Sequence, residues 1–395
     1  MALSTAEVRE IAAHPEWVSA AQELPLSKKS LISDLATVRK VCGDYSRAVV
    51  EVAAARKSTA AKLPGNWIMS SEAAQQATPY LVATARARRL AASAYTSFAD
   101  VTCSIGTEVA ALADAGLRTV GSDIDPARLA MARHNVPAGA FLQADALAPV
   151  FDAEVVIADP ARRAGGRRIA RPEDLLPPLP DLVAAWRGSQ MAIKCAPGLD
   201  FAEWEGEVAL ASVDGAVKEA CLYSPGLATV REGRPVSKSA TVIEVVDKRN
   251  PLDLSSARVR QYDDAMSDEC EVRSAGRYIV DPDGAVVRAG LVRHFAAEHG
   301  FWQLDERIAH LSGDRLPEGM AGFEMIEKVG LKQVRKTLAA LDCGSAEILV
   351  RGVDVDPDAL RKQWKLKGVR QLSVVITRIG KTAVAFICGP RTVGE

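Results

Sequence analysis

Four aspartates, each closing an apolar run, carry the spacing in this chain that most clearly implies chemistry. Phe98-Ala-Asp100 leads into the small-residue turn Val101-Thr-Cys-Ser-Ile-Gly-Thr107 and then an Ala-rich stretch. Such a turn at the head of a helix brings backbone N–H groups to an anionic ligand group. A carboxylate about 20 residues on accepts hydrogen bonds from ribose hydroxyls. Asp123, in Arg118-Thr-Val-Gly-Ser-Asp-Ile-Asp-Pro126, holds that place, with Asp125 as the next candidate. A third acid ends Phe141-Leu-Gln-Ala-Asp145 and a fourth ends Val155-Val-Ile-Ala-Asp159. Singly, each could be an ordinary strand-end residue of a parallel sheet; their ordered succession points to a nucleotide-type ligand.

This order resembles the class I S-adenosylmethionine-dependent methyltransferases, whose first motif is D-x-x-C-G-x-G-T or a close variant. Asp100, Cys103, Gly106 and Thr107 fall on it, and Ser104 stands in place of the first glycine. A dinucleotide dehydrogenase would need G-x-G-x-x-G here, and one of its glycines is present. The resemblance implies S-adenosylmethionine as cofactor, its carboxylate at the helix beginning near Thr107 and its ammonium at Asp100. Asp123 would take the ribose diol, and Asp145 with the Ala146 N–H the adenine edge. Cys103, Ser104 and Ile124 complete the expected cofactor set.

Asp159-Pro160-Ala161-Arg162 occupies the position where amino-methylating relatives carry N/D-P-P-Y/F/W. In those enzymes the first residue holds a planar amine and the aromatic stacks on the base. Arg162 stands where that aromatic would be, and a guanidinium can stack on a base or fork onto a phosphate. Asp159, Pro160 and Arg162 are therefore the expected catalytic residues, and Arg163, Arg167 and Arg168 the expected substrate contacts. Cys195-Ala-Pro197 opens an alternative. Pyrimidine C5-methyltransferases place D-P-P-R and C-N-P at these two points, and their cysteine attacks the base. A lone cysteine closing an apolar strand also reads as a small buried hydrophobe.

The elements that must position these residues alternate as strand and helix. Strands are expected at 97–101, 119–123, 140–144, 154–158 and 191–195, with helices at 108–115, 126–135 and 179–186. This is the rhythm of a parallel sheet with crossover helices. Val217–Tyr223 and Ala240–Val246 read as the antiparallel pair that finishes a seven-stranded, Rossmann-like methyltransferase sheet. Residues 1–92 read as a helical region, with one long helix from Ser71 to Ala92, and 93–250 as the methyltransferase core. Residues 251–395 read as a small α/β domain, including a helix from Ala285 to Glu298 closed by Gly300.

That last segment is similar to the THUMP-like domain fused to one family of bacterial methyltransferases, through Tyr278-Ile-Val-Asp-Pro282, Val287-Arg-Ala-Gly290, Glu347-Ile-Leu-Val-Arg-Gly-Val-Asp354 and Ile376-Thr-Arg-Ile-Gly380. The similarity implies an RNA substrate, tRNA or rRNA. Charge agrees with it. From Lys328 to Lys381 there are twelve Lys or Arg against five Asp or Glu, a balance of +7, while the whole chain sums to −1. A basic segment on an otherwise acidic chain suits a polyanion, although a solvated helix face carries such runs too.

At 48% hydrophobic and 25% charged residues, the composition is that of a globular protein rather than a disordered one. No apolar run reaches the length of about 18 residues that a membrane span needs. The seven cysteines lack zinc-type spacing and read as reduced thiols of a cytoplasm, and the five histidines form no metal motif. Two rival readings stand beside RNA methylation: methylation of a small molecule or protein, and an RNA-binding module that holds cofactor without transfer.

Overall fold

The computed structural model describes residues 3–160, 171–199 and 201–395, with the backbone alone at 163–164 and 167–168. The chain forms two compact units, Met1–Ser237 with Thr241–Gln261, and Lys238–Ala240 with Tyr262–Glu395.

The first unit begins with helices α1 (Thr5–Ala13), α2 (Pro15–Gln22), α3 (Leu31–Cys42), α4 (Ser46–Ser58), α5 (Ser71–Gln76) and α6 (Tyr80–Ala91). Ser4 and Glu7 cap α1 reciprocally through a capping box. The single helix expected over 71–92 is two. Ala77 turns extended at ψ 143°, and Pro79, which has no N–H to continue the helical ladder, stands as the N-cap from which the next helix starts. The sheet then unfolds in chain order: β1 (Ser97–Asp100), α7 (Thr107–Asp114), β2 (Arg118–Asp123), α8 (Pro126–Asn135), β3 (Ala140–Gln143), β4 (Val155–Ala158), α9 (Leu179–Ala185) and β5 (Gln190–Cys195). After these come β6 (Glu207–Val213), β7 (Ala216–Tyr223), β8 (Lys238–Val245) and β9 (Ala257–Asp263).

The strands lie in the order β9-β8-β6-β7-β5-β4-β1-β2-β3. β1 to β5 are parallel, and β7 runs antiparallel to both β5 and β6. The antiparallel pair is thus β6 with β7, not Val217–Tyr223 with Ala240–Val246. Asp214 at φ 49° and Gly215 at φ 77° make the tight turn whose twist matches a hairpin. β8 and β9 add two strands beyond the seven expected. β4 is fully buried along its length, which is why it reads as an unbroken apolar run.

One apolar cluster joins Val49, Val52, Leu63 and Ile68 of the helical region to Cys103 and Ile105 of the β1–α7 connection, Val109 of α7 and Leu129 of α8. Charged groups are buried alongside. Arg86 of α6 donates to Glu108 of α7 at 3.1 and 3.2 Å and to Glu219 of β7 at 2.5 Å, with side-chain exposures of 2–3%.

The second unit is a seven-stranded sheet, with β10 (Tyr278–Val280), β11 (Trp302–Gln303), β12 (Leu311–Gly313), β13 (Ala321–Gly330), β14 (Cys343–Arg351), β15 (Arg370–Ile379) and β16 (Thr382–Val393) in the order β11-β12-β10-β13-β16-β15-β14. β14 and β15 are parallel across α13 (Pro357–Trp364), and α12 (Val334–Ala340) packs Val334 and Leu338 onto Leu372, Val374 and Ile376. The helix expected over 285–298 is split into α10 (Gly284–Ala289) and α11 (Val292–His299), because Gly290 turns left-handed at φ 75°.

Removing one partner of a buried ion pair leaves the others uncompensated. Arg86→Met is therefore expected to cost about 3–5 kcal/mol in urea unfolding followed by tryptophan fluorescence. Arg249→Met, which breaks an exposed pair with Asp247, should cost under about 1 kcal/mol.

Candidate active site

The strand order reverses between β1 and β4, and the carboxyl ends of β1, β2, β4 and β5 open there. The β1–α7 loop is held by backbone hydrogen bonds, one to β2 and one within itself. The Cys103 N–H donates to Ser122 O at 2.9 Å, and the Gly106 N–H to Cys103 O at 2.8 Å. Ser104 adopts φ 47° and Gly106 φ 90°. Ser104 thus keeps the left-handed backbone of the glycine it replaces, at a strain of about 1–2 kcal/mol. A Cβ on Gly106 would sit 3.1 Å from Val136, so this position has neither the φ nor the room for a side chain.

Asp123 fastens that loop. Its Oδ2 accepts from the Ser104 N–H and its Oδ1 from the Asp125 N–H, both at 2.9 Å. Each carboxylate oxygen keeps a second lone pair for a ribose hydroxyl. Asp125 instead caps α8, its Oδ1 accepting from the Ala127 and Arg128 N–H groups. Asp145 is exposed and accepts from the Leu147 N–H at 2.9 Å, while the Ala146 carbonyl is fixed by the Trp186 indole at 2.8 Å. Ile124 is 67% exposed and Leu147 37%, which leaves apolar surface at the ends of β2 and β3 for an adenine face.

Asp100 is buried at the end of β1, taking the Thr102 N–H at 3.2 Å. Burial lifts its pKa to about 7; Lys194 opposes the rise, and the carboxylates of Glu108 and Asp159 add to it. The Thr107 hydroxyl, in the first turn of α7, is buried without a hydrogen-bond partner. The Asp159 N–H donates to Thr102 Oγ1 at 2.7 Å, so the expected acceptor residue is tied to the cofactor loop. Pro160 is buried beside it. Arg162 lies outside the described residues, as do the side chains of Arg163, Arg167 and Arg168. Cys103 is buried, and that burial pushes its thiol well above the ordinary range. Cys195 is also fully buried, packed with Val156, Leu199 and Leu222 in an apolar cluster, which is the surrounding of a hydrophobe rather than a nucleophile.

Residue spacing did not reveal a buried polar set beneath these groups. Lys194 Nζ lies 3.1 Å from Thr78 Oγ1, 3.2 Å from Glu108 Oε1 and 3.4 Å from Asp159 Oδ2. Burial alone would lower the Lys194 pKa, but Glu108, Asp159 and Asp100 raise it. Against the burial that would raise Glu108, Arg86 and Lys194 bring it down to about 2. The signal available was a lysine inside the apolar run Met191-Ala-Ile-Lys-Cys195, since a charge in a parallel central strand needs a partner. Among the described residues, no cluster of His, Cys, Asp or Glu could hold a metal ion, and no helix is long and apolar enough to cross a membrane.

An open sheet with this order, a left-handed loop before α7 and a carboxylate after β2 defines a doubly wound enzyme built for a nucleotide-like cofactor. A Mycobacterium tuberculosis protein named an uncharacterised S-adenosylmethionine-dependent methyltransferase, represented in strains CDC 1551 and H37Rv, is 47% identical over 371 residues, covering 88% of this chain and 98% of its own. A solved structure from Porphyromonas gingivalis W83, described as a methyltransferase, shares the fold at a TM-score of 0.69 and 18% identity, over 89% of this chain and 91% of its own. Residues 321–390 match the family described as THUMP domain-like. The chain belongs to the S-adenosylmethionine-dependent methyltransferases, and S-adenosylmethionine is its cofactor.

The residues present fit that cofactor. The unpartnered Thr107 hydroxyl and the N-terminus of α7 suit its carboxylate, Asp100 its ammonium, and Asp123 its ribose. Charge-assisted hydrogen bonds contribute roughly 1.5–3 kcal/mol each. Asp123→Ala is expected to weaken cofactor binding about 10- to 100-fold in calorimetric titration; an unchanged affinity would remove Asp123 from the site. Asp100 gives a pH dependence. An ammonium ligand needs the carboxylate, so below a pKa of about 7 a proton must leave as the cofactor binds. Affinity should therefore rise as pH rises through about 7, and fall by up to about tenfold per pH unit below it. In Asp100→Asn that slope should vanish.

Proposed function

We propose that this methyltransferase modifies a base in RNA, with tRNA or rRNA as the substrate class. The observation that carries the reading is that positive charge collects in the segment that matches the THUMP domain-like family, residues 321–390. THUMP-type domains assist RNA-modifying enzymes, and here Lys332, Lys336, Lys362, Lys367 and Lys381 are exposed. None of these five forms an ion pair among the described residues, which leaves them available to phosphate oxygens. The D-P-A-R sequence and the arginines that follow it add a second basic element next to the acceptor position.

S-adenosylmethionine supplies the methyl group, its sulfonium becoming a neutral thioether as the carbon passes to the acceptor. The chain's own contribution is alignment of the acceptor with that carbon. Asp159 would accept the N–H of an acceptor nitrogen, hold it in line and take the proton released as the new N–C bond forms. The buried Cys195 has no part in this scheme, so the reading favours a nitrogen acceptor over a pyrimidine carbon.

Tritiated methyl transfer to total RNA from a strain lacking this gene, against RNA from the parent strain, tests the reading. Label is expected in the first RNA and not the second, with an apparent KM that climbs steeply with salt. Cys195→Ala should retain full turnover, and total loss would restore the pyrimidine mechanism. Label that enters protein or small molecules while RNA stays inert would overturn the RNA assignment.

A further inference from the structure

We infer that Lys194 is a positioning residue for methyl transfer: its ammonium fixes the acceptor-side carboxylate of Asp159 to the first turn of the cofactor helix α7. An ammonium has three N–H donors and no acceptor. Here the three have three partners on three separate elements: Thr78 ahead of α6, Glu108 in α7, and Asp159 after β4. Side chains alternate across a strand, so Lys194 points to the α6–α7 side while Cys195 enters the apolar cluster on the other. Thr78 is itself held, donating to Glu219 Oε2 at 3.2 Å. The charged groups facing this centre are Glu108 of α7, Asp159 after β4, Asp100 of β1, Arg86 of α6 and Glu219 of β7.

A purely structural lysine would need only Glu108, its nearest carboxylate. The bond to Asp159 is the one that reaches the reacting end, and the bond to Glu108 of α7 crosses the point between β1 and β4 where the strand order reverses. Cofactor and acceptor are bound on opposite sides of that point, so their relative placement depends on something that touches both. Lys194 does so, alongside the Thr102 hydroxyl that receives the Asp159 N–H. A planar guanidinium cannot reproduce a three-way tetrahedral contact, so arginine is not a conservative replacement here.

The inference rests on the reading of Asp159 as the group that holds the acceptor, and two measurements separate the claims. The first needs no acceptor. Lysine-labelled 15N spectra of the full chain at neutral pH should contain a slowly exchanging ammonium signal that disappears in Lys194→Arg and moves in Asp159→Asn. A signal indifferent to Asp159→Asn overturns the inference.

The second is a double-mutant cycle on transfer to RNA. Lys194→Met and Asp159→Asn should each lower kcat by about 10- to 100-fold. The double variant should be no slower than Asp159→Asn alone, with the cofactor KM within about threefold of the parent. Multiplicative losses would mean that Lys194 acts elsewhere. Because Lys194→Met leaves Glu108 unpaired, Lys194→Met/Glu108→Gln removes one cation and one anion together. It should still unfold cooperatively, bind cofactor and be slow, and a parental rate there overturns the inference. If the parent chain transfers nothing to any RNA, the RNA reading falls, and the ammonium spectrum still decides whether Lys194 holds Asp159.

Discussion

A cluster of buried charges beneath the carboxyl ends of β1, β4 and β5 is the constraint that the rest of the first unit must satisfy. Arg86, Asp100, Glu108, Lys194 and Glu219 are each at most 4% exposed. Several kcal/mol of desolvation per ion are recovered only if every group meets its partners in good geometry. The partners come from α6, α7, β1, β5 and β7, so these elements can pack in only one arrangement. The helical region is part of the same requirement, since Arg86 and Thr78 both belong to segments that precede β1. Apolar packing alone would tolerate small slips of a helix along the sheet, whereas a buried guanidinium forked onto two carboxylates does not.

The cofactor loop shows a different use of charge. A carboxylate after the second strand could stand free to await ribose, yet Asp123 already holds the Ser104 and Asp125 N–H groups. Its first task is to keep the loop in a left-handed shape that a serine would otherwise resist. In the proposed ribose-binding role, the second lone pair on each oxygen would meet the ligand at a position set in advance, which would lower the ordering cost of binding. Ser104 is accordingly a substitution that the loop absorbs, because the strain it introduces is of the same order as one charge-assisted hydrogen bond returns.

Much of this was legible in the sequence, for reasons tied to particular residues. Apolar runs ending in acids at 100, 123, 145 and 159 report parallel strands, and strand burial makes such runs continuous. Local chemistry also marked features that periodicity overrode: Pro79 ends a helix that the apolar pattern would continue, Gly290 splits another, and Asp214-Gly215 makes a hairpin out of what read as one strand-rich region. The buried charges were not legible as a set. Arg86, Glu108 and Glu219 lie far apart in the chain, and nothing local distinguishes a glutamate that will be buried against arginine from one that will face water. Lys194 was the exception, a charge set inside an apolar strand. The β8 and β9 strands carried apolar alternation but no feature fixing which sheet edge they would join.

Cofactor and acceptor make opposite demands on a protein, and the switch point reconciles them. The cofactor must be gripped in one pose, and its side of the point is made of backbone N–H groups, a helix terminus and carboxylates locked by their own hydrogen bonds. The acceptor must enter and leave, and on the proposed reading its side is the one that carries Asp159-Pro160 after β4. Rigidity on one side and access on the other would give poor alignment if they were independent. They are not independent, because Thr102 bonds the Asp159 backbone and Lys194 its carboxylate. The Asp159 carboxylate therefore inherits the rigidity of the cofactor loop, which is what the proposed role of holding an acceptor would require. On the proposed reading of Asp159, the geometry of transfer is thus fixed by residues that precede 160.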